Sequence, residues 1–272
     1  MFTTYNNIDI IPIPFKFVNT YLISHKSKYY LVDTGYPKDY LKLYNKISLI
    51  TLDQELSNLK AIIITHHHSD HTGGIFYLKK INPEIRIIAH KNCFENLKKG
   101  SNSNDEKYFT CSKTIQRLTR LSHKLFKNSG RFEPYTKKDT DIEISDKDLF
   151  LNLEEDTFFD EGSFEKYKNQ PFIKIFYTPG HTDDSICIKI DDHIIVGDTL
   201  ASSFNIFGNR YLPIIFNDLK ILYQSWEKIL KEDVNTIIPS HGDSFDKNEV
   251  AKNINYFKKA YKSCFANNEN EL

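Results

Sequence analysis

The stretch that most constrains the fold is a cluster of imidazole and carboxylate side chains that directly follows an apolar run. The run, residues 61–64 (Ala-Ile-Ile-Ile), is short and β-branched and predicts a buried strand. Because successive side chains of an extended backbone point to opposite sides, His66 and His68 project together and His67 projects away. Packing gives no reason for such a cluster, whereas imidazole and carboxylate are ordinary ligands of zinc and similar ions. The sequence therefore predicts a metal site here, with these candidate ligands: His66, His68, Asp70 and His71.

Composition limits the partners and the location that we expect. The 272 residues can form one large domain or two small ones, and 36 basic residues balance 36 acidic ones. A balanced charge gives no support for a nucleic-acid partner, so we expect a small-molecule substrate. The N-terminus lacks a signal-peptide pattern and no apolar run approaches the ~18 residues that span a membrane. We therefore expect a cytoplasmic protein without membrane contact, and the oligomeric state, a dimer included, stays open.

Hydrophobic periodicity predicts strands that alternate with helices, which is an α/β layout. Three short strands are expected over residues 8–13, 15–23 and 29–32, and later strands over 61–64, 85–89, 141–144, 149–151, 172–177, 185–190, 193–196 and 236–239. Helices are expected over 38–59 with a break near residue 50, and over 74–81, 216–232 and 247–265.

Residues 91–135 differ from the rest of the chain because they are polar and rich in lysine. Apolar residues recur every three or four positions over 112–127, which predicts an amphipathic helix. We interpret 91–135 as a mostly helical insertion within a single domain that covers residues 1–272. The pattern leaves open whether it is a lid over the site, a surface elaboration or an oligomer contact.

Four predicted strands end abruptly at residues that can bind metal. They end at the 66–71 cluster, at His181, at Asp198 and at His241. Because strand ends gather along one edge of an α/β sheet, we expect these side chains to converge. Five histidines and two aspartates are too many for one tetrahedral zinc ion, and they suit two ions that share a carboxylate and a water.

At this point the sequence resembles the metallo-β-lactamase superfamily. The signature HxHxDH stands at residues 66–71, and the other motifs follow in the family order: Asp33-Thr34-Gly35, Thr178-Pro179-Gly180-His181-Thr182, Gly197-Asp198-Thr199 and Ser240-His241-Gly242. The pattern is similar to the branch that contains glyoxalase II and the lactonases. The resemblance implies an αββα sandwich with metals at one edge.

The resemblance also implies a division of ligands between two ions. One ion would be held by His66, His68 and His181, the other by Asp70, His71 and His241, and Asp198 would bridge them. Zinc is the expected metal, and iron or manganese also suit nitrogen and oxygen ligands. The implied reaction is hydrolysis of an ester, thioester or lactone by a water held between the ions, with Asp70 able to accept a proton from it.

Supporting roles are expected for residues close to these motifs. Asp33 would orient a ligand from behind, and Asp243 is a further candidate for that role. Ser203, Asn205 and Tyr211 follow Asp198 in the region where family substrate pockets form, so we take them as candidate substrate contacts.

The sequence departs from the family pattern at positions that help to narrow the substrate class. The gap between His71 and His181 is longer than in compact members, and residues 199–202 (Thr-Leu-Ala-Ser) stand where lactonases carry a tyrosine. The retained Asp198 disfavours an antibiotic-hydrolysing enzyme. A phosphodiesterase or nuclease of the same fold is an alternative that needs a basic pocket. A di-iron redox protein is another, which His68 disfavours because that branch prefers glutamate there.

Overall fold

The first half of the chain forms a seven-stranded sheet. The computed structural model describes residues 1–102, 107–108, 130–203, 205–208 and 210–255. In spatial order the strands of this first sheet are β1 (Phe2–Thr3), β2 (Asp9–Pro14), β3 (Asn19–His25), β4 (Lys28–Val32), β5 (Leu59–Ile63), β6 (Arg86–His90) and β8 (Ile142–Ile144). Strands β1 to β4 are antiparallel, and β4, β5, β6 and β8 run parallel. The parallel strands place the segments after β4 and β5 side by side at one edge.

The second half forms another seven-stranded sheet. Its spatial order is β10 (Thr157–Phe159), β9 (Leu149–Asn152), β11 (Phe172–Tyr177), β12 (Ile186–Ile190), β13 (His193–Gly197), β15 (Thr236–Pro239) and β16 (Phe245–Asp246). Only β13 and β15 pair in parallel in this sheet as described. A short ladder joins β7 (Lys107–Tyr108) to β14 (Ile215–Phe216).

Helices lie between and after the strands, and the helical segment predicted over 38–59 ends at Thr51. They are α1 (Tyr40–Thr51), α2 (Ser69–Thr72), α3 (Ile75–Ile81), α4 (Lys91–Lys99), α5 (Phe164–Tyr167), α6 (Leu219–Lys231) and α7, of which residues 247–255 are described. Helix α6 starts where the Asp218 side chain accepts a hydrogen bond from the backbone N–H of Ile221, at 2.9 Å. In the described part of the chain, no helix is long and apolar enough to cross a membrane.

Three apolar clusters hold the layers together. Residues such as Ile63 and Ile188 fill the space between the two sheets. Helices α1, α3 and α4 cover the outer face of the first sheet, with Leu43 among the buried residues. Helix α6 covers the outer face of the second sheet through Leu222 and Trp226. Two helical layers around two sheets make an αββα sandwich, so the predicted fold is confirmed.

Part of the predicted insertion belongs to the outer helical layer. Residues 91–99 form α4, and its Cys93 and Leu97 are buried in the cluster on the first sheet. Beyond α4 the chain returns to itself, because Ser101 bridges to Arg131. The helix predicted over 112–127 lies outside the described residues.

A substitution of Trp226 tests whether α6 packs on the second sheet through this side chain. It is buried, and its indole N–H donates a 2.6 Å hydrogen bond to the carbonyl of Thr199. We expect Trp226→Ala to lower the free energy of unfolding by about 3–5 kcal/mol, measured by chemical denaturation. Leu49→Ala is the control, because Leu49 is 74% exposed and should change stability by less than about 0.5 kcal/mol. A similar small loss for both variants would contradict this packing.

Candidate metal centre

The candidate ligands occupy the ends of four strands, at the edge where the two sheets meet. The 66–71 turn follows β5, His181 follows β11, Asp198 directly follows β13, and His241 follows β15. The turn closes into α2 because the backbone N–H of His71 donates to the carbonyl of His68, at 2.9 Å. The structure therefore brings together all seven side chains that the sequence singled out.

Three histidines form one compact group. Nε2 of His66 lies 3.0 Å from Nδ1 of His68, and Nε2 of His181 lies 3.1 Å from both of these atoms. The other nitrogen of His181 donates to the carbonyl of Ile215 at 2.7 Å. Nδ1 of His66 lies 3.0 Å from the hydroxyl of Thr65, which itself donates to a carboxylate. This network assigns the protons to Nδ1 in both rings and leaves both Nε2 lone pairs facing the centre of the group.

A second group is formed by Asp70, His71 and His241, and Asp198 lies between the two. Nε2 of His241 is 3.4 Å from Oδ2 of Asp70, and Nε2 of His71 is 3.8 Å from Oδ1 of Asp70. Oδ2 of Asp198 is 3.1 Å from Nε2 of His241 and 3.7 Å from Nε2 of His181. The Asp198 carboxylate therefore faces both groups at once.

These residues fit divalent metal ions by their chemistry. Two imidazole lone pairs 3.1 Å apart, on His66 and His181, cannot hydrogen-bond to each other without a cation between them. In the described chain, Nε2 of His71 and Oδ1 of Asp198 are buried without a hydrogen-bond partner. Unpaired buried polar atoms are costly, and ions that accept nitrogen and oxygen ligands satisfy them. The His/Asp cluster and the fold together imply that divalent metal ions bind here.

The three-histidine group favours neutral rings, which are the form that binds metals. Burial lowers the pKa of His66 well below its ordinary value, and the neighbouring histidines lower it further. Burial also lowers the pKa of His181 to about 4, against the opposing effect of the Asp198 carboxylate. At neutral pH both rings therefore present lone pairs.

The second group attracts positive charge. Burial lowers the pKa of His71, but the carboxylates of Asp198, Asp33 and Asp70 outweigh burial and raise it to about 9. Burial likewise lowers the pKa of His241, and Asp198 and Asp70 raise it well above its ordinary value. The carboxylates thus create a negative field in which a divalent cation is stabilised.

The carboxylate of Asp33 holds the 66–71 turn in place through hydrogen bonds to Thr65 and His71. Its Oδ1 accepts from the backbone N–H of Thr65, and its Oδ2 accepts from the Thr65 hydroxyl and from Nδ1 of His71, each at 2.8 Å. Its backbone lies in the left-handed region with φ 61°, a conformation that aspartate tolerates better than most residues. Asp243, the other candidate for such a role, instead lines a cavity, where its carbonyl accepts from the Ser202 hydroxyl at 2.7 Å.

A cavity of about 440 Å³ opens beside His241. It is lined by Phe15, Lys16, Phe17, Asn19, Ser203, His241, Gly242 and Asp243. Phe17 also orients the metal site, because its carbonyl accepts from Nδ1 of His241 at 2.5 Å. Sequence reasoning missed the 15–19 side of this cavity, because it assigned those residues to a strand that begins only at Asn19.

The three candidate substrate residues lie in different surroundings. Ser203 lines the cavity. The side chain of Asn205 accepts from the backbone N–H of Tyr211 at 2.7 Å, and the Tyr211 ring packs on Phe245 with centroids 4.2 Å apart. Asn205 and Tyr211 are thus engaged with their own loop and with β16.

Asp184 is a further residue that sequence reasoning passed over as part of a loop. It is buried, and both of its carboxylate oxygens lie 3.0 Å from Nδ1 of His67. Burial raises the pKa of Asp184, but the charge of His67 and hydrogen bonds from His67 and Thr182 outweigh burial and lower it to about 2. The alternation rule correctly predicted that His67 points away from His66 and His68, but no local pattern indicated its partner.

The fold and the site together define a metal-binding αββα protein. The family model of the metallo-β-lactamase superfamily matches residues 13–241. The chain therefore belongs to the metallo-β-lactamase superfamily.

Curated relatives are similar over most of this chain. A β-lactamase-like protein 2 homolog of Drosophila melanogaster is 25% identical over 88% of this chain and 62% of its own length. A hydroxyacylglutathione hydrolase of Shewanella loihica is 27% identical over 71% of this chain and 52% of its own length. The chain thus spans only about half to two thirds of these relatives. They are consistent with the glyoxalase II-like branch.

Solved structures agree on the fold. A metallo-β-lactamase of Cronobacter sakazakii has a TM-score of 0.62 at 16% identity and covers 94% of this chain, with 91% of its own chain covered. An archaeal metallo-β-lactamase superfamily protein from Sulfolobus tokodaii has a TM-score of 0.56 at 18% identity, over 92% of this chain and 85% of its own.

A substitution of Asp33 tests whether its carboxylate stabilises the 66–71 turn. We expect Asp33→Asn to lower the free energy of unfolding of metal-free protein by about 3 kcal/mol, because a buried pair with His71 loses its charge. Asparagine also tolerates a positive φ, so the substitution adds no further backbone strain. Asp139→Asn is the control at an exposed position. Denaturant titration measures the free energy of unfolding of both variants. Equal values for Asp33→Asn and Asp139→Asn would contradict the role of Asp33.

Proposed function

We propose that this protein is a dinuclear metal-dependent hydrolase that cleaves an ester, thioester or lactone of a small molecule. The position of Asp198 carries this proposal. Its Oδ2 faces His181 of one group and His241 of the other, and its Oδ1 is 3.5 Å from Nε2 of His71. A carboxylate between two ligand groups is the arrangement that two metal ions share.

The ligands divide between the two proposed ions by their distances. His66, His68 and His181 offer three nitrogens to the first ion. Asp70, His71 and His241 would hold the second ion, and Asp198 would contribute to both. The absence of cysteine from this set and the mixture of imidazole and carboxylate make zinc the proposed metal.

The protein's own groups have defined tasks in this reaction. Bound metal ions supply a water that is acidic near neutral pH and polarise the bond to be cleaved. Asp70 accepts the proton of the attacking water, because its carboxylate is ionised and faces the centre. Burial raises the pKa of Asp70, but His71 and His241 outweigh burial and keep it well below its ordinary value. Burial raises the pKa of the Tyr36 hydroxyl, and the nearby negative charges of Asp70 and Asp198 raise it further.

The cavity beside His241 fits a small substrate with an apolar part. Phe15 and Phe17 provide aromatic wall, and Ser203 and Asn19 provide polar groups. A volume of about 440 Å³ lies within the range of small-molecule sites. The name of the Shewanella relative, a hydroxyacylglutathione hydrolase, supports placing thioesters first among the substrates to test.

Metal analysis of Asp198→Ala tests the dinuclear proposal. Wild-type protein should bind two metals per chain at saturation and hydrolyse at least one thioester, ester or lactone. In the variant we expect one metal fewer and a loss of activity above ~100-fold, since even outer partners of ligands cost 10–100-fold. Exposed Asp139→Asn is the control. One metal in the wild type, or full activity in Asp198→Ala, would disprove the proposal, and hydrolysis of a phosphodiester alone would disprove the substrate class.

Phe17 tests the substrate cavity separately from the metals. Its ring is 62% exposed, so a bound substrate can cover it, and only its backbone carbonyl holds His241. We expect Phe17→Ala to lower kcat/KM about tenfold, mainly through KM, with metal content unchanged. Leu52→Ala, which removes an exposed apolar side chain outside the cavity lining, is the matched control. An unchanged KM for every substrate would show that this cavity does not bind them.

A further inference from the structure

A buried ion pair, His67–Asp184, connects the two loops that carry the three-histidine group. His67 stands in the turn after β5 of the first sheet, and Asp184 stands in the loop after β11 of the second. Both side chains are 0% exposed, and both oxygens of Asp184 lie 3.0 Å from Nδ1 of His67. Burying a carboxylate in this way is costly unless it is paired, so the pair is a strong restraint on where the two loops sit.

The chain connections make that restraint act on the ligands. His67 is bonded directly to His66 and His68, and Asp184 is three residues from His181. The rings of His67 and His68 also contact each other edge to face, with centroids 5.0 Å apart. A shift of either loop would therefore change the distances among the three histidines that converge.

A backbone bond also joins these two loops, because the N–H of Ile186 donates to the carbonyl of Thr65 at 2.9 Å. The Asp184 loop is also held from its outer side, because Asn92 of α4 donates to the carboxylate of Asp183 at 3.0 Å. The His67–Asp184 pair is thus a side-chain bond between the two loops that carry the three-histidine group.

We propose that His67 and Asp184 are positioning residues that set the affinity of the three-histidine group for its metal ion. The inference rests on the metal assignment of the proposed function. Neither residue contacts the ion or the substrate. Their contribution is to keep His66 and His68 on one loop at the correct distance from His181 on the other. Partners that orient metal ligands in this way are typically worth 10–100-fold in metal affinity.

Competition of zinc binding with a chelator, on full-length protein, tests the inference. We expect Asp184→Ala to weaken the three-histidine group 10–100-fold and to weaken the other group by a smaller factor, because the two groups share only Asp198. Asp184→Asn keeps an oxygen that accepts from Nδ1 of His67, so its loss should stay below ~10-fold. Asp183→Asn is the matched control, because Asp183 is exposed and asparagine keeps an oxygen that can accept from Asn92, so this variant should bind both ions as the wild type does.

The visible spectrum of protein loaded with one equivalent of Co²⁺ is the second readout, because it reports ligand geometry without activity. We expect altered bands in Asp184→Ala and wild-type bands in Asp183→Asn. Wild-type affinity and spectrum in Asp184→Ala would overturn the proposal. So would equal weakening of both metal groups in proportion to a loss of metal-free stability, which is the result for a purely structural pair.

A second variant tests the same pair from its other side. If Asp184→Ala fails to fold, His67→Asn takes its place, since its shorter side chain cannot span the same distance. A 10–100-fold loss at the three-histidine group supports the proposal, and wild-type affinity overturns it. Because every readout is binding, a wild-type protein that binds two ions but hydrolyses nothing refutes the proposed function and leaves this inference standing.

Discussion

The carboxylate of Asp33 is the interaction on which the rest of the site depends. It accepts from the backbone and the hydroxyl of Thr65 and from Nδ1 of His71, each at 2.8 Å. Through the Thr65 hydroxyl it also determines which nitrogen of His66 carries the proton. One buried charge at the end of β4 thus orients ligands of both groups. Its left-handed backbone, with φ 61°, is the strain that this arrangement requires.

The ligand motifs could be predicted because they are local and follow recognisable strands. The 66–71 cluster, His181, Asp198 and His241 each come after a short apolar run, and strand ends meet at one edge of a sheet. The alternation of strands and helices predicted an α/β layout, and the family resemblance implied its αββα layers. The helix break expected near residue 50 is close to where α1 ends, at Thr51. The metal roles of these residues stay predictions, which the convergence of their side chains supports.

Contacts between distant segments could not be read from the sequence. The partner of His67 is 117 residues away, and the alternation rule indicates only the direction in which a side chain points. The Phe15–Phe17 wall was missed for a different reason, since its alternating apolar residues look like a strand but form the turn before Asn19. The contact between the Tyr211 ring and Phe245 is another that no local pattern indicates.

The described ends of the predicted insertion connect to both ligand loops. The side chain of Asn102 accepts from the backbone N–H of Ser69, at 2.9 Å, immediately before Asp70. Strand β7 pairs with β14 at Ile215, and the carbonyl of Ile215 is the acceptor that holds His181. The Asn102 bond reaches the turn that carries Asp70 of the second group, and the β7–β14 pairing reaches the residue that holds His181 of the three-histidine group. The described parts of the insertion are therefore joined to loops that carry candidate ligands of both groups.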